Sequence, residues 1–148
     1  MLSRTNFGAK SMTDRFVDTS GWAAWGSANE PYHIPAKVAF QEVWDGGHQL
    51  ITTTYVLAEL TALFIRMRVS RDRQIELLSE IRSDRSIVVD AVEPTWLDAT
   101  WKLWASRPDK EWTVVDCSSF VVMKSRGLQE AITTDHHFEQ AGFVRLLK

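Results

Sequence analysis

Four acidic side chains, Asp18, Glu59, Asp116 and Asp135, stand where elements of a folded chain would begin or end. Asp18 follows the apolar pair Phe16-Val17, and Asp135 follows Ala131-Ile132-Thr133-Thr134. Glu59 lies about one turn inside a helical pattern amid Val56, Leu57, Leu60 and Leu63. Asp116 stands at the N-cap position of another helix, where a carboxylate accepts backbone N–H bonds. Two ionised carboxylates ~5 Å apart repel by about 3 kcal/mol at an effective dielectric of about 20, so four brought together would require cations. Taken one at a time, each reads more simply as a cap or a solvated member of the 19 acidic residues.

Other reactive side chains carry less. His136-His137 has no Cys or third His nearby and reads as a loop or packing pair. Cys117 lacks a paired His in sequence reach and reads as a small buried thiol. Arg66, Arg68, Arg71 and Arg73 crowd one helix junction, which suits either a solvated corner or an edge that contacts phosphates. Lys124 and Arg126 suit the C-terminal end of a helix.

The elements that must position these groups follow from periodicity. Short β-prone runs occur at 16–17, 49–52, 86–90, 131–133 and 143–147. Between them lie helical patterns: a first turn or two around Trp22 and Trp25, then 36–44, ended by Gly46-Gly47 after a loop at 29–35 that holds two prolines. A helix over 55–68 follows a Thr53 or Thr54 cap, and Ser70 caps the next, with Ile75, Leu78 and Ile81 facing inward. Pro94 opens another helix, and a last long one runs over 117–126 to Gly127, before a short helix at 136–140. Strands alternating with helices predict a parallel sheet covered on both faces, with a site beyond the carboxyl ends of its strands. Trp22, Trp25 and Trp44 would crowd so small a core, so at least one is expected to line an apolar groove for a partner helix.

Composition narrows the class. The 148 residues suit one domain, with 45% hydrophobic and 24% charged residues, which excludes global disorder. A single cysteine excludes a disulfide framework and fits a reducing, cytoplasmic compartment. The longest run without Asp, Glu, Lys or Arg, 46–58, is too short for a membrane span, and the N-terminal residues show no apolar signal core. A net charge of -2 excludes coating nucleic acid by general positive charge.

Phe16-Val17-Asp18-Thr19-Ser20, Thr52-Thr53-Thr54-Tyr55-Val56-Leu57-Ala58-Glu59-Leu60, Val115-Asp116-Cys117-Ser118-Ser119-Phe120 and Thr133-Thr134-Asp135-His136-His137-Phe138, followed by Ala141-Gly142-Phe143, run in order along the chain. In these blocks the sequence resembles the PIN-domain family, and within it the VapC-type ribonuclease toxins. The resemblance implies a PIN-like three-layer α/β/α fold over residues 15–148, with a central, mostly parallel sheet of four to five strands; residues 1–14, which lack apolar periodicity, are expected to be a flexible leader. It implies a metal-dependent endoribonuclease whose acidic quartet matches Asp18, Glu59, Asp116 and Asp135. An all-oxygen set of this kind selects Mg²⁺ or Mn²⁺ over zinc. Asp18, Glu59 and Asp116 are the expected ligands, direct or through water, while Asp135 acts through water or orients the nucleophile. The hydroxyls of Ser20 and Thr134 are expected to steady these carboxylates. RNA as substrate, a cognate antitoxin and a homodimer are the implied partners. A catalytically weak PIN module that binds RNA or protein, or a PIN nuclease without an antitoxin, are the competing readings.

Overall fold

A computed structural model describes residues 13–148, so most of the expected leader at 1–14 lies outside the described residues. The chain runs β1 (Arg15–Val17), α1 (Thr19–Gly26), α2 (His33–Asp45), β2 (Leu50–Thr53), α3 (Thr54–Arg66), α4 (Arg71–Ser83), β3 (Ile87–Asp90), α5 (Pro94–Ser106), α6 (Val114–Arg126), β4 (Glu130–Ile132), α7 (His137–Gln140) and β5 (Val144–Arg145). The sheet has the order β3-β2-β1-β4-β5, and every pairing is parallel. Parallel neighbours require right-handed crossovers. The steps β1 to β2 to β3 therefore place α1–α4 on one face, and the return to β4 and β5 places α5–α7 on the other. This is the three-layer α/β/α architecture, with five strands in the sheet. Phe16, Val17, Leu50, Ile51, Ala131 and Ile132 are all fully buried, as strands covered on both sides demand. Strand order reverses at β1, so the crevice beyond the ends of β1 and β4 is the natural ligand position. No helix among the described residues is long and apolar enough to cross a membrane.

Local expectations shift in five places. The expected loop at 29–35 is partly helical: α2 begins at His33, and Pro35 sits in its first turn, where a missing N–H leaves nothing unpaired. On α4 the inward face is turned by about one residue. Gln74, Leu77 and Ile81 are buried, Leu78 is half-buried and Ile75 is exposed, because Gln74 donates Nε2 to the Val69 carbonyl beneath the helix. On α6 the N-cap is Thr113, and Asp116 is the third helical residue of a reciprocal capping box. Arg126 does more than face a helix end, since its Nε and Nη2 grip both oxygens of Asp90 at 2.6 and 2.8 Å. Trp22 is buried, and Trp25 stacks on Phe40 while Trp44 meets it edge-on; the exposed tryptophans are Trp101 and Trp104 on α5.

Two features lock the layers. Arg15 is buried at the start of β1 and donates to Glu130 Oε1, Glu42 Oε1 and the Ala39 carbonyl, tying β4 and α2 to the central strand. Gly21 lets α1 lie directly on β4, since a Cβ there would stand 2.1 Å from the Ile132 carbonyl oxygen. Gly21→Ala should therefore destabilise the fold by about 1–3 kcal/mol, read as a lower urea midpoint at unchanged slope. A wild-type midpoint would show that α1 is not pressed against β4.

Candidate active site

The end of β1, the turn after β4, the second turn of α3 and the first turn of α6 converge beyond the carboxyl ends of the strands, and each brings one carboxylate. Asp18 follows β1, where its backbone N–H donates to the Ile132 carbonyl, fixing it against β4. It occupies the N-cap position of α1, yet its side chain does not cap the helix and is free to face the crevice. Its Oδ2 accepts a hydrogen bond from Thr133 Oγ1 at 3.0 Å. The only hydroxyl proton of Thr133 goes to that carboxylate, so Ser20 must donate to Thr133 Oγ1 across 3.1 Å. Thr133 Oγ1 also accepts the Asp135 N–H, and Ser20 Oγ accepts the Thr134 N–H. One hydroxyl thus couples the ends of two strands. The expected hydroxyl at Thr134 is replaced in this contact by that of Thr133, while Thr134 takes part through its backbone.

Glu59 comes one turn into α3, which Thr53 caps by accepting the Val56 N–H. The Thr19 hydroxyl donates to Glu59 Oε1, so the residue after Asp18 holds the glutamate. Asp116 Oδ2 accepts the Thr113 N–H at 3.0 Å. Asp135 Oδ1 accepts the His137 N–H at 2.9 Å. The ring of His137 lies between these last two carboxylates, with Nδ1 3.3 Å from Asp116 Oδ2 and 3.2 Å from Asp135 Oδ1. Tyr55, Ala58, Val114 and Val115 form an open apolar rim beside Glu59.

The electrostatics follow from this crowding. Asp18 is 5% exposed, and its pKa is pushed up to about 7, chiefly by burial and further by the charges of Glu59 and Asp116, against hydrogen bonds from Thr19 and Thr133. Burial, reinforced by Asp135, likewise pushes Asp116 up, opposed by its bonds to Thr113 and by His137. A bound divalent cation would relieve both, and four carboxylates from four elements are a donor set that such an ion fits. Cys117 is fully buried, and burial raises its thiol to about 11, which keeps it protonated rather than nucleophilic.

The arginines lie elsewhere. Arg66 ends α3, two turns or about 10 Å along the helix from Glu59. Arg68 occupies the turn with φ 60°, and Arg71 and Arg73 open α4. All four are exposed, and Arg73 pairs with Glu76. Residue type and spacing do not single out Thr19, Thr133 and His137 as members of this site. A Thr directly after each of Asp18 and Ile132 is the available signal, but strand parity, which determines which hydroxyl faces the crevice, emerges only once the strands pair.

Because the native Asp18 pKa lies above that of an unfolded carboxyl, the folded chain binds the extra proton. Metal-free stability should then fall as pH rises from about 4 to about 7. Asp18→Asn should flatten that fall and leave the metal-free protein more stable at pH 7. Parallel denaturation curves in EDTA across this range measure it, and an unchanged pH slope in the variant would place the titration elsewhere.

Residues 15–144 match the PIN domain model. The 23S rRNA-specific endonuclease VapC20 of Mycobacterium tuberculosis H37Rv is 32% identical over 132 residues, covering 88% of this chain and 96% of that protein. The crystal structure of M. tuberculosis VapC20, described as a sarcin-ricin loop cleaving toxin, superposes with a TM-score of 0.80 at 29% identity over 93% of this chain and 100% of that one. PAE2754 from Pyrobaculum aerophilum, with a TM-score of 0.58 at 20% identity, covers 93% of each chain and shares the fold. FitAcB from Neisseria gonorrhoeae, at 0.62 and 12%, covers 93% of this chain and 97% of that one and shares the fold as well. With a family match across nearly the whole described chain and a VapC relative above 30% identity, this protein belongs to the PIN domain family of metal-dependent nucleases, among its VapC-type endonuclease toxins.

Proposed function

We propose that the chain is a toxin endoribonuclease that cuts a structured RNA, of the 23S ribosomal class named for VapC20, at the carboxylate cluster of Asp18, Glu59, Asp116 and Asp135. The observation that carries this reading is the meeting of the four acids at the strand-order reversal, with Asp18 and Asp116 both pushed toward neutrality. Asp18, Glu59 and Asp116 would hold Mg²⁺ or Mn²⁺, and Asp135 would orient the attacking water. Such an ion supplies an acidified water and neutralises charge that develops during in-line attack on a phosphodiester. Thr133, Ser20 and Thr19 keep the carboxylates aimed, so little rearrangement is needed when substrate arrives. Exposed Arg66, Arg68, Arg71 and Arg73 would hold phosphates flanking the cut. A cognate antitoxin and a second copy of the chain are the proposed protein partners, in the cytoplasm where the RNA target resides. The exposed apolar side chains Ile34 and Val38 on α2 and Trp101 and Trp104 on α5 are surfaces that such partners would cover.

Cleavage of ribosomal RNA should stop in EDTA and return with Mg²⁺ or Mn²⁺. Asp18→Asn and Glu59→Gln should each lower the rate by at least the roughly 10–100-fold that losing a mere outer-shell partner of a metal costs. Activity that survives exhaustive chelation would overturn the metal site.

Removing Arg66 and Arg68 together should weaken RNA binding in every sequence context. With Ca²⁺ in place of the working ion, the log–log salt slope should flatten by about 0.7 for each phosphate that is no longer neutralised. An unchanged slope would make these arginines a solvated corner.

A further inference from the structure

We infer that the cleft where α5, α6 and α7 meet is a nucleotide subsite, which seats one base of an RNA substrate beside the cut and places its phosphate at Lys124. This rests on the ribonuclease reading above and adds a contact that the acidic cluster does not make.

The cleft holds about 350 Å³, within the size range of small-ligand pockets. Trp112 and Phe120 form its floor, only 6% and 4% exposed, with their rings edge to face at 5.1 Å. Leu103 of α5 and Phe143 after α7 are half-buried and wall it. The polar side chains at the rim are of one kind. Trp112 Nε1 donates to Gln140 Oε1 at 2.9 Å, and an indole nitrogen can only donate, so the Gln140 oxygen is committed and its NH₂ is left as a donor. Arg107 lies over the Trp112 ring at 5.2 Å and spends Nε and Nη2 on Asp109, which leaves Nη1. Lys124 is exposed and makes no ion pair among the described residues. Among the described residues no acidic side chain lines the cleft. The uncommitted groups are therefore hydrogen-bond donors and cations around an aromatic floor, in a chain whose net charge is -2. An occupant must offer a flat apolar body, acceptor atoms at its edge and a negative charge, and a nucleotide offers all three.

The cleft is also placed to serve the acidic site. Asp116, Phe120 and Lys124 follow one stripe of α6 at four-residue spacing, so floor and cation stand about 6 and 12 Å along the axis from Asp116. Trp112 directly precedes Thr113, whose N–H bonds to Asp116, and Gln140 ends the helix whose first residue bonds to Asp135. The Trp112–Gln140 bond thus joins the two segments that aim these acids.

The test is a titration of the full chain with adenosine 5′-monophosphate in EDTA, monitored by ¹H–¹⁵N NMR. The Trp112 indole N–H and the Gln140 side-chain amide should shift, and Lys124→Glu should weaken binding by at least ~3-fold, the scale of losing an exposed charge contact. Adenosine and inorganic phosphate should each bind more weakly than the nucleotide. With RNA, Lys124→Glu should raise KM and keep kcat, and the rise should exceed that from the same reversal at exposed Lys37 on α2. A nucleotide that shifts neither resonance, which requires no variant to fold, would overturn the inference, as would an equal rise in KM from the two reversals. If an aspartyl-phenylalanine dipeptide shifts both resonances and the nucleotide does not, the cleft takes a protein partner and the inference fails. Failure of the ribonuclease reading is distinct: RNA cleavage that persists in Asp18→Asn would overturn the acidic cluster as its centre and leave the nucleotide shifts intact.

Discussion

The structure is organised around the repulsion between carboxylates that it holds together out of water. Asp18 and Asp116 are 5% and 7% exposed, and burial alone would favour their neutral forms. What offsets the burial is a set of short-range donors: the Thr133 hydroxyl on Asp18, the Thr113 N–H on Asp116, the Thr19 hydroxyl on Glu59 and the His137 N–H on Asp135. Each donor lies within three residues of an acid in the cluster, so the turn that delivers a carboxylate also delivers the group that steadies it or its neighbour. The donors offset only part of the penalty, which is why Asp18 remains close to neutrality and why the site is suited to a cation.

That arrangement depends on two backbones lying unusually close. Thr133 reaches Asp18 because β4 runs beside β1, and the two can carry helices over their ends because Gly21 presents no Cβ to the Ile132 carbonyl. At the opposite end of β1, Arg15 directs its guanidinium to Glu42, Glu130 and the Ala39 carbonyl. Since the charge is paired and the fork is filled, it can sit buried in the middle of the sheet. Held at both ends, β1 acts as the fixed reference against which α1, α3, α6 and the turn after β4 are aimed.

Scaffold and target choice separate in this fold. The fold recurs in proteins only 12–20% identical, and a fold by itself does not fix a function. On the function proposed above, target preference would come from what surrounds the crevice: the apolar rim of Tyr55, Val114 and Val115, and the exposed arginines that begin with Arg66 two turns beyond Glu59. An overall charge of -2 leaves affinity to such local patches rather than to the field of the whole molecule.

Chemistry local to each segment was enough to reveal the alternation of strands and helices, the positions of the four acids near element ends, and the burial of Cys117. Apolar runs without alternation can satisfy only a sheet covered on both faces, and Thr53, Ser70, Pro94 and Gly127 mark helix ends by their own side-chain and backbone preferences. Interactions set across the chain were not legible in the same way. Pro35 reads as a break because a sequence does not say whether a proline falls in a first turn or beyond it. Ile75 reads as inward because nothing local shows that Gln74, with its amide on the Val69 carbonyl, takes the buried face. Asp116 is the third helical residue, paired with Thr113, and not the cap, a difference of three residues within one local box. The roles of Thr133 and His137 belong to tertiary structure altogether. A hydroxyl that serves Asp18 from 115 residues away, and an imidazole that reaches Asp116 as well as Asp135, exist only once β4 has paired with β1 and α7 has packed against α6.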